Sequence, residues 1–186
     1  MELAEEYAAL LVGAGIIRGL IGPREAERIW ERHIVNSLSV VPLVGDGCVV
    51  ADIGSGAGLP GIVLAIARPD CQVELVESMR RRVDFLEWCV AELGLRHQVS
   101  VFHGRAEEYL GPADVLVCRA VAPVGELMGL VGHLVPPAEV LAIKGEKAAV
   151  EVAQASSKLE ARGLRVEIRR PVLEGQAVGT VVRVFR

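Results

Sequence analysis

From residue 48 onward, short β-rich runs alternate with segments of helical period, and each run ends at a glycine or an acidic residue. The runs cover residues 48–53, 72–76, 98–102, 114–118 and 139–143. The helical segments cover 59–67, 79–93 (closed by Gly94), 106–110, 123–134 and 146–162 (closed by Gly163). Strict β/α alternation implies a mostly parallel sheet covered on both faces, because each parallel pair needs a crossover long enough to hold a helix. The last two runs, 164–168 and 178–185, leave no room for a crossover helix and should pair antiparallel. The expected fold is a doubly wound α/β domain with a seven-stranded sheet, mostly parallel, ending in an antiparallel pair. Ligands in such a sheet lie beyond the carboxyl ends of the strands where the strand order reverses, so chemistry is expected just after strands one to four.

Ahead of this core, residues 2–20 and 24–41 carry apolar side chains at helical spacing, among them Ile29, Trp30, His33, Ile34, Leu38 and Val41, with Gly22-Pro23 as the break. A chain of 186 residues fits one domain, here with a helical extension (1–44) packed on a core (45–186). The longest stretch without Asp, Glu, Lys or Arg, residues 53–67, holds four glycines and a proline and is too short to span a bilayer as a helix. The N-terminus is acidic where a secretory signal needs positive charge, so no membrane association, a cytoplasmic location and a monomer are expected. Cys48, Cys71, Cys89 and Cys118 form no C-x-x-C pair and read as reduced thiols within apolar segments, with no metal site. A formal net charge of −4 exerts no global pull on nucleic acid, so a polyanionic partner must be met by a local patch.

The sharpest local signal is Ala51-Asp-Ile-Gly-Ser-Gly-Ala-Gly-Leu-Pro-Gly61, a buried strand running into alternating glycines and then a helix. Gly54, Gly56 and Gly58 permit positive φ and close approach of a ligand, and the first amides of a helix starting at Leu59 would offer donors to an anion. The segment Gly56-Ala-Gly58-Leu-Pro-Gly61 also satisfies the dinucleotide pattern G-x-G-x-x-G. Asp52 tips the balance, since a carboxylate at the floor of the loop repels a diphosphate and attracts a cationic ligand. S-adenosylmethionine, with its sulfonium and ammonium groups, is therefore preferred over NAD. Glu77, twenty-three positions after Gly54, stands where an acidic residue reaches ribose hydroxyls. Arg105-Ala-Glu-Glu108 follows strand three, where an amide and a carboxylate can read an adenine edge. The antiparallel C-terminal pair suits a Rossmann-like, class I methyltransferase better than a plain dinucleotide-binding domain.

Taken together, Glu31-Arg-His-Ile-Val-Asn-Ser-Leu38, Asp52-Ile-Gly-Ser-Gly-Ala-Gly-Leu-Pro-Gly61, Arg105-Ala-Glu107, Cys118-Arg-Ala-Val-Ala-Pro123 and Ala142-Ile-Lys-Gly145 resemble the successive motifs of the small-subunit rRNA guanine-N7 methyltransferases, also called glucose-inhibited division protein B. The chain departs from that pattern in its first helix, at Pro136-Pro137 and at Cys118. The resemblance implies a Rossmann-like fold with added N-terminal helices, S-adenosylmethionine as donor, and a guanine N7 in the decoding-region loop of 16S rRNA, free or in the small ribosomal subunit, as acceptor. Carried over position by position, it implies donor contacts at Gly54, Leu59, Ala106, Glu107 and Arg119.

Guanine N7 is a lone-pair nucleophile with no proton to lose, so no obligatory general base is expected and catalysis would be alignment. Arg119, just past strand four, is the candidate for gripping the donor carboxylate or guanine O6. Lys144 at the end of strand five, Arg80, Arg81 and Arg82 at the start of the helix after strand two, and Arg32 and His33 on the second N-terminal helix are candidate RNA contacts. His97, His103 and His133 read as structural or solvated. Three rivals stay open at this point: methyl transfer to a small molecule or protein, which would use the same donor half-site, NAD-dependent oxidation, and a non-catalytic donor-binding or RNA-binding scaffold.

Overall fold

The computed structural model describes residues 2–186; Met1, counted in the expected single domain, lies outside them. Five parallel strands, β1 (Val49–Ile53), β2 (Gln72–Glu77), β3 (Val99–His103), β4 (Val115–Arg119) and β5 (Glu139–Lys144), form the body of the sheet. Their cores are apolar on both faces, as a sheet covered twice demands. Alternate residues enter separate cores: Val50, Val115 and Val117 pack on one face, Ala51, Leu116 and Cys118 on the other.

The first core receives α2 (Gly61–Ala67) and α3 (Arg80–Glu92); the second receives α4 (Val124–Val131) and α5 (Ala148–Glu160). The strand order is β3-β2-β1-β4-β5-β9-β6, where β6 is Arg165–Arg169 and β9 is Thr180–Phe185. The C-terminal pair is antiparallel as expected, and β9 inserts between β5 and β6, antiparallel to both. The order reverses between β1 and β4, so the carboxyl ends of these strands frame the switch-point crevice.

A small hairpin, β7 (Val172–Leu173) with β8 (Gln176–Ala177), was not anticipated. Its two-residue turn has Glu174 at φ 50° and Gly175 at φ 81°, a turn with both central residues left-handed whose usual Asn-Gly or Asp-Gly signal is missing.

The N-terminal region is helical but not as two regular α-helices. α1 (Glu2–Leu10) runs into a π-helical turn, Leu11–Gly15, and the chain breaks at Gly19, whose φ of 66° suits a helix end. The second segment passes from a 3-10 stretch (Pro23–Arg28) through a π-helical one (Ile29–Val35) to another 3-10 stretch (Leu38–Leu43). The changing pitch alters the faces that a uniform 3.6 period would give: Ile29 and Ile34 are buried while Trp30 is exposed. Tyr7, Leu11, Ile21, Ile29 and Ile34 join the core formed with α2 and α3, so this segment lies against the switch-point end of the sheet.

Candidate functional site

The site begins with the turn out of β1. Gly54 has φ 67°, and a Cβ there would stand 2.9 Å from Val121 Cγ2, so the turn passes under the loop that follows β4 with no room for a side chain. Gly58 has φ 96°, and a Cβ there would lie 2.5 Å from Ile62 Cδ1 and 2.9 Å from the Tyr7 hydroxyl. That hydroxyl donates to Ala57 O at 2.7 Å, so the N-terminal helix clamps the glycine loop from outside the sheet.

Helix α2 starts at Gly61 rather than at the expected Leu59, and its amides are not free. Leu59 N–H donates to Ser55 O at 3.1 Å, Gly61 N–H to Asp52 Oδ2 at 2.9 Å and Ile62 N–H to Gly58 O at 2.8 Å. Gly54 and Ser55 N–H both donate to Val76 O, at 2.9 and 3.1 Å. The expectation of an anion held on this helix end is therefore corrected: the loop has spent these donors on itself, and a diphosphate would find few amides to meet it.

Asp52 is fully buried and lines neither of the two hollows beside the glycine loop, so it is not the open floor that the sequence suggested. One oxygen accepts from the Ser55 hydroxyl and the Gly61 amide; the other, Oδ1, has no partner among the described residues. Burial pushes its carboxyl up to about 6, against the lowering effects of the Ser55 and Gly61 bonds and of the Arg119 charge. Gly58 likewise faces Ile62 and Tyr7 rather than a cavity.

Glu77 ends β2 and is 3% exposed. Its Oε2 accepts from Gly56 N–H at 3.0 Å and its Oε1 from Met79 N–H at 2.8 Å, while Arg82 approaches at 3.5 Å. These bonds fix the carboxylate at the lip of a cleft of about 430 Å³. Gly54 and Ala120 line it from one side and Ala106 and Glu107 from the other, the last two in the 3-10 turn Ala106–Glu108 after β3.

Across Gly54 lies a second hollow of about 280 Å³, bounded by Ser55, Gly56 and Leu59 from the loop, by Arg119 at the end of β4 and Ala120 just after it, and by Glu25 and His33 from the N-terminal segment. Gly54, Arg82 and Ala120 line both spaces, which makes them two lobes of one cleft. On the far side of Arg119 and Ala120 opens a wide groove of about 890 Å³, walled by Arg28, Arg32, Asn36, Lys144 and Gln176. Ala120, at φ 56°, is a non-glycine residue in the left-handed region at the junction of all three spaces.

Arg119 stands between two of them, the smaller lobe and the groove. One guanidinium nitrogen donates to Arg32 O at 3.1 Å and the other to His33 Nδ1 at 3.0 Å; burial lowers its pKa. His33 thus faces the smaller lobe rather than the groove. Arg32 lines the groove and pairs with Glu25 at 3.1 Å.

Lys144 reaches the groove wall, but its ammonium is bound to Ala122 O and lies 2.9 Å from Glu151, with 9% of the side chain exposed. A lysine so committed is a brace rather than a phosphate contact. Arg80 pairs with Asp84 at 2.7 Å on the outer face of α3, and neither it nor Arg81 lines the cleft or the groove.

The sequence assigned no role to Glu25 or Ala120, and it offered Arg82 as a phosphate contact, whereas Arg82 lines both lobes of the cleft. Ala120 was within reach, since the Arg-Ala pair after strand four was already distinctive. Glu25 was not, because eight residues separate it from His33 on a segment of irregular pitch. Among the thiols, Cys71, Cys89 and Cys118 are buried and Cys48 is half-buried; burial pushes Cys89 and Cys118 up to about 12, so neither is a nucleophile at neutral pH.

The fold is shared with solved methyltransferases. A magnesium protoporphyrin IX methyltransferase from Synechocystis superposes with a TM-score of 0.64 at 15% identity, covering 100% of this chain and 98% of that one. The Bacillus subtilis tRNA methyltransferase TrmK gives 0.63 at 15% identity, covering 84% and 66%. Both are class I Rossmann-like folds, as expected for this chain.

In sequence, a ribosomal RNA small subunit methyltransferase G from Mycolicibacterium gilvum is 49% identical over 167 residues, 87% of this chain and 73% of the relative. Its namesake from Kineococcus radiotolerans is 46% identical over 196 aligned positions, 100% of this chain and 75% of the relative. The family model described as rRNA small subunit methyltransferase G matches residues 1–176, and the chain belongs to that family.

Proposed function

We propose that the protein transfers the methyl group of S-adenosylmethionine to N7 of a guanine in the decoding-region loop of 16S rRNA. The observation that carries this reading is the meeting of a two-lobed cleft with a wide groove at Arg119 and Ala120, in a chain of this family. A cofactor reaching through both lobes would bring its far end to the groove mouth.

The residues present suit the donor. Glu77, its two oxygens already aimed by amides, retains lone pairs for ribose hydroxyls, and the 3-10 turn at Ala106 and Glu107 closes the far lobe where a base would sit. The near lobe carries two guanidinium groups, Arg82 and Arg119, for a carboxylate, and Gly54 and Gly56 let the chain approach without a side chain in the way. Bound there, S-adenosylmethionine supplies an electrophilic methyl on a cationic sulfur, which a purine N7 takes without first losing a proton.

The protein's part is to hold the partners in register and exclude water, worth on the order of 7 to 11 kcal/mol for well-aligned reactants. Arg119 cannot donate to N7, which needs its lone pair for attack, so its place is at the donor carboxylate or at O6. A-form RNA hides N7 in a narrow groove, so the acceptor would be a loop or displaced nucleotide admitted to the wide groove. Arg28 and Arg32, half-exposed on that groove, are its cations for phosphate despite the net charge of −4, their exposed pairs with Glu31 and Glu25 being weak enough to exchange.

The test is incubation with methyl-labelled donor and either small-subunit rRNA or intact small subunits, followed by digestion and mass spectrometry of the nucleosides. N7-methylguanosine at one position is expected. Its absence from both substrates, with label instead in protein or small molecules of a cell extract, would replace the rRNA reading.

A further inference from the structure

Arg119 is held from outside the Rossmann core, by two groups of the N-terminal segment. A guanidinium has only donors, so its 3.0 Å contact with His33 Nδ1 requires a lone pair on that nitrogen, and the ring proton must reside on Nε2. Nε2 lies 2.9 Å from Glu25 Oε2, the acceptor for that proton. The other Glu25 oxygen is held by Arg32 at 3.1 Å, and it is the Arg32 carbonyl that receives the second Arg119 bond, also 3.1 Å. We propose that Glu25 and His33 are positioning residues: Glu25 selects the imidazole tautomer that accepts from Arg119, and so sets the guanidinium in the donor lobe. This rests on the reading of that lobe as the S-adenosylmethionine site.

A second proton on His33 would fall on Nδ1, facing a permanent cation 3.0 Å away, and the Arg119 contact would be lost. Groups facing His33 are Glu25, Arg32 and Arg119, and those facing Arg119 include Tyr7, Asp52 and Glu25. Burial lowers the His33 pKa below its ordinary value; the Glu25 bond opposes this and the Arg119 charge adds to it. The arrangement is therefore intact at neutral pH and comes apart in acid.

Two measurements decide the matter. Imidazole nitrogen NMR of the unmodified protein at pH 7.5 is expected to show His33 protonated at Nε2; a proton on Nδ1 would overturn the proposal whatever the protein binds. Calorimetric titration with S-adenosylhomocysteine from pH 5 to 8 is expected to show affinity falling in acid. His33→Gln, whose side-chain carbonyl accepts from Arg119 but does not titrate, should abolish that fall. Glu25→Ala should weaken binding about three- to tenfold and move the fall to lower pH, because Glu25 raises the His33 pKa, while Glu25→Gln, which keeps an acceptor, should stay within about twofold. An unchanged acid fall in His33→Gln would refute the relay, whereas an unmodified protein that binds no S-adenosylhomocysteine would refute the donor-site reading and leave the tautomer to judge the relay.

Discussion

Asp52→Asn is expected to change how stability depends on pH, by an amount that the surroundings of the carboxylate set. Asp52 is completely buried beneath the glycine loop, with one oxygen unpartnered among the described residues, and its carboxyl is pushed up to about 6. The ordinary aspartate value is 3.8. In the folded chain the group therefore binds a proton between roughly pH 6 and 4, where the unfolded chain does not, and stability from this group rises as pH falls through that window. A difference of about two pKa units corresponds to about 3 kcal/mol in full, nearly absent at pH 7 and complete only about one pH unit below the unfolded value. Asparagine can still accept from Ser55 and Gly61 but cannot titrate. Urea unfolding of both proteins at half-unit steps from pH 4 to 7.5 reads the difference, and titrations shared by the two chains cancel. The unmodified protein should gain about 2 kcal/mol over the variant on going from pH 7 to pH 4. A difference constant within about 0.5 kcal/mol would mean that Asp52 stays ionised in the fold, and the account of burial dominating its two hydrogen bonds would fail.

Gly58→Ala should cost about 2–4 kcal/mol in urea unfolding, combining left-handed strain with a Cβ 2.5 Å from Ile62 Cδ1; a loss under about 0.5 kcal/mol would mean that the loop yields freely. Glu77→Gln puts an amide NH₂ against the Gly56 or the Met79 N–H and should weaken S-adenosylhomocysteine binding roughly 10- to 100-fold by calorimetry, whereas unchanged affinity would remove Glu77 from the donor site. Lys144→Met breaks a pair 9% exposed on the lysine side and should lower stability by about 1–3 kcal/mol while leaving the salt slope of rRNA binding unaltered; a slope reduced by about one would restore Lys144 as a phosphate contact.

Much of the fold was legible because β/α alternation leaves few topologies and because apolar runs announce parallel strands buried on both faces. The antiparallel end of the sheet followed from chain length alone, since nothing between residues 168 and 178 could hold a crossover. The hairpin within that connection escaped notice because Glu174 stands where an asparagine or aspartate would have signalled the turn. Along the N-terminal segment, apolar spacing announced helix but could not report changes of pitch, and so missed that Trp30 turns outward.

The sequence by itself determined that a glycine loop follows the first strand, that an acid follows the second and an arginine the fourth, and the family motifs told which chemistry such a set serves. Local spacing sufficed there because strand ends of a doubly wound sheet converge wherever the intervening helices lie. Only the tertiary structure decided what each charge does. It turned Asp52 inward to cap α2, committed Lys144 to Glu151, left Arg80 and Arg81 outside the cleft, and brought Glu25 and His33 onto Arg119. A charge acts through neighbours within a few ångströms, and in this chain those neighbours come from segments as many as 87 residues apart.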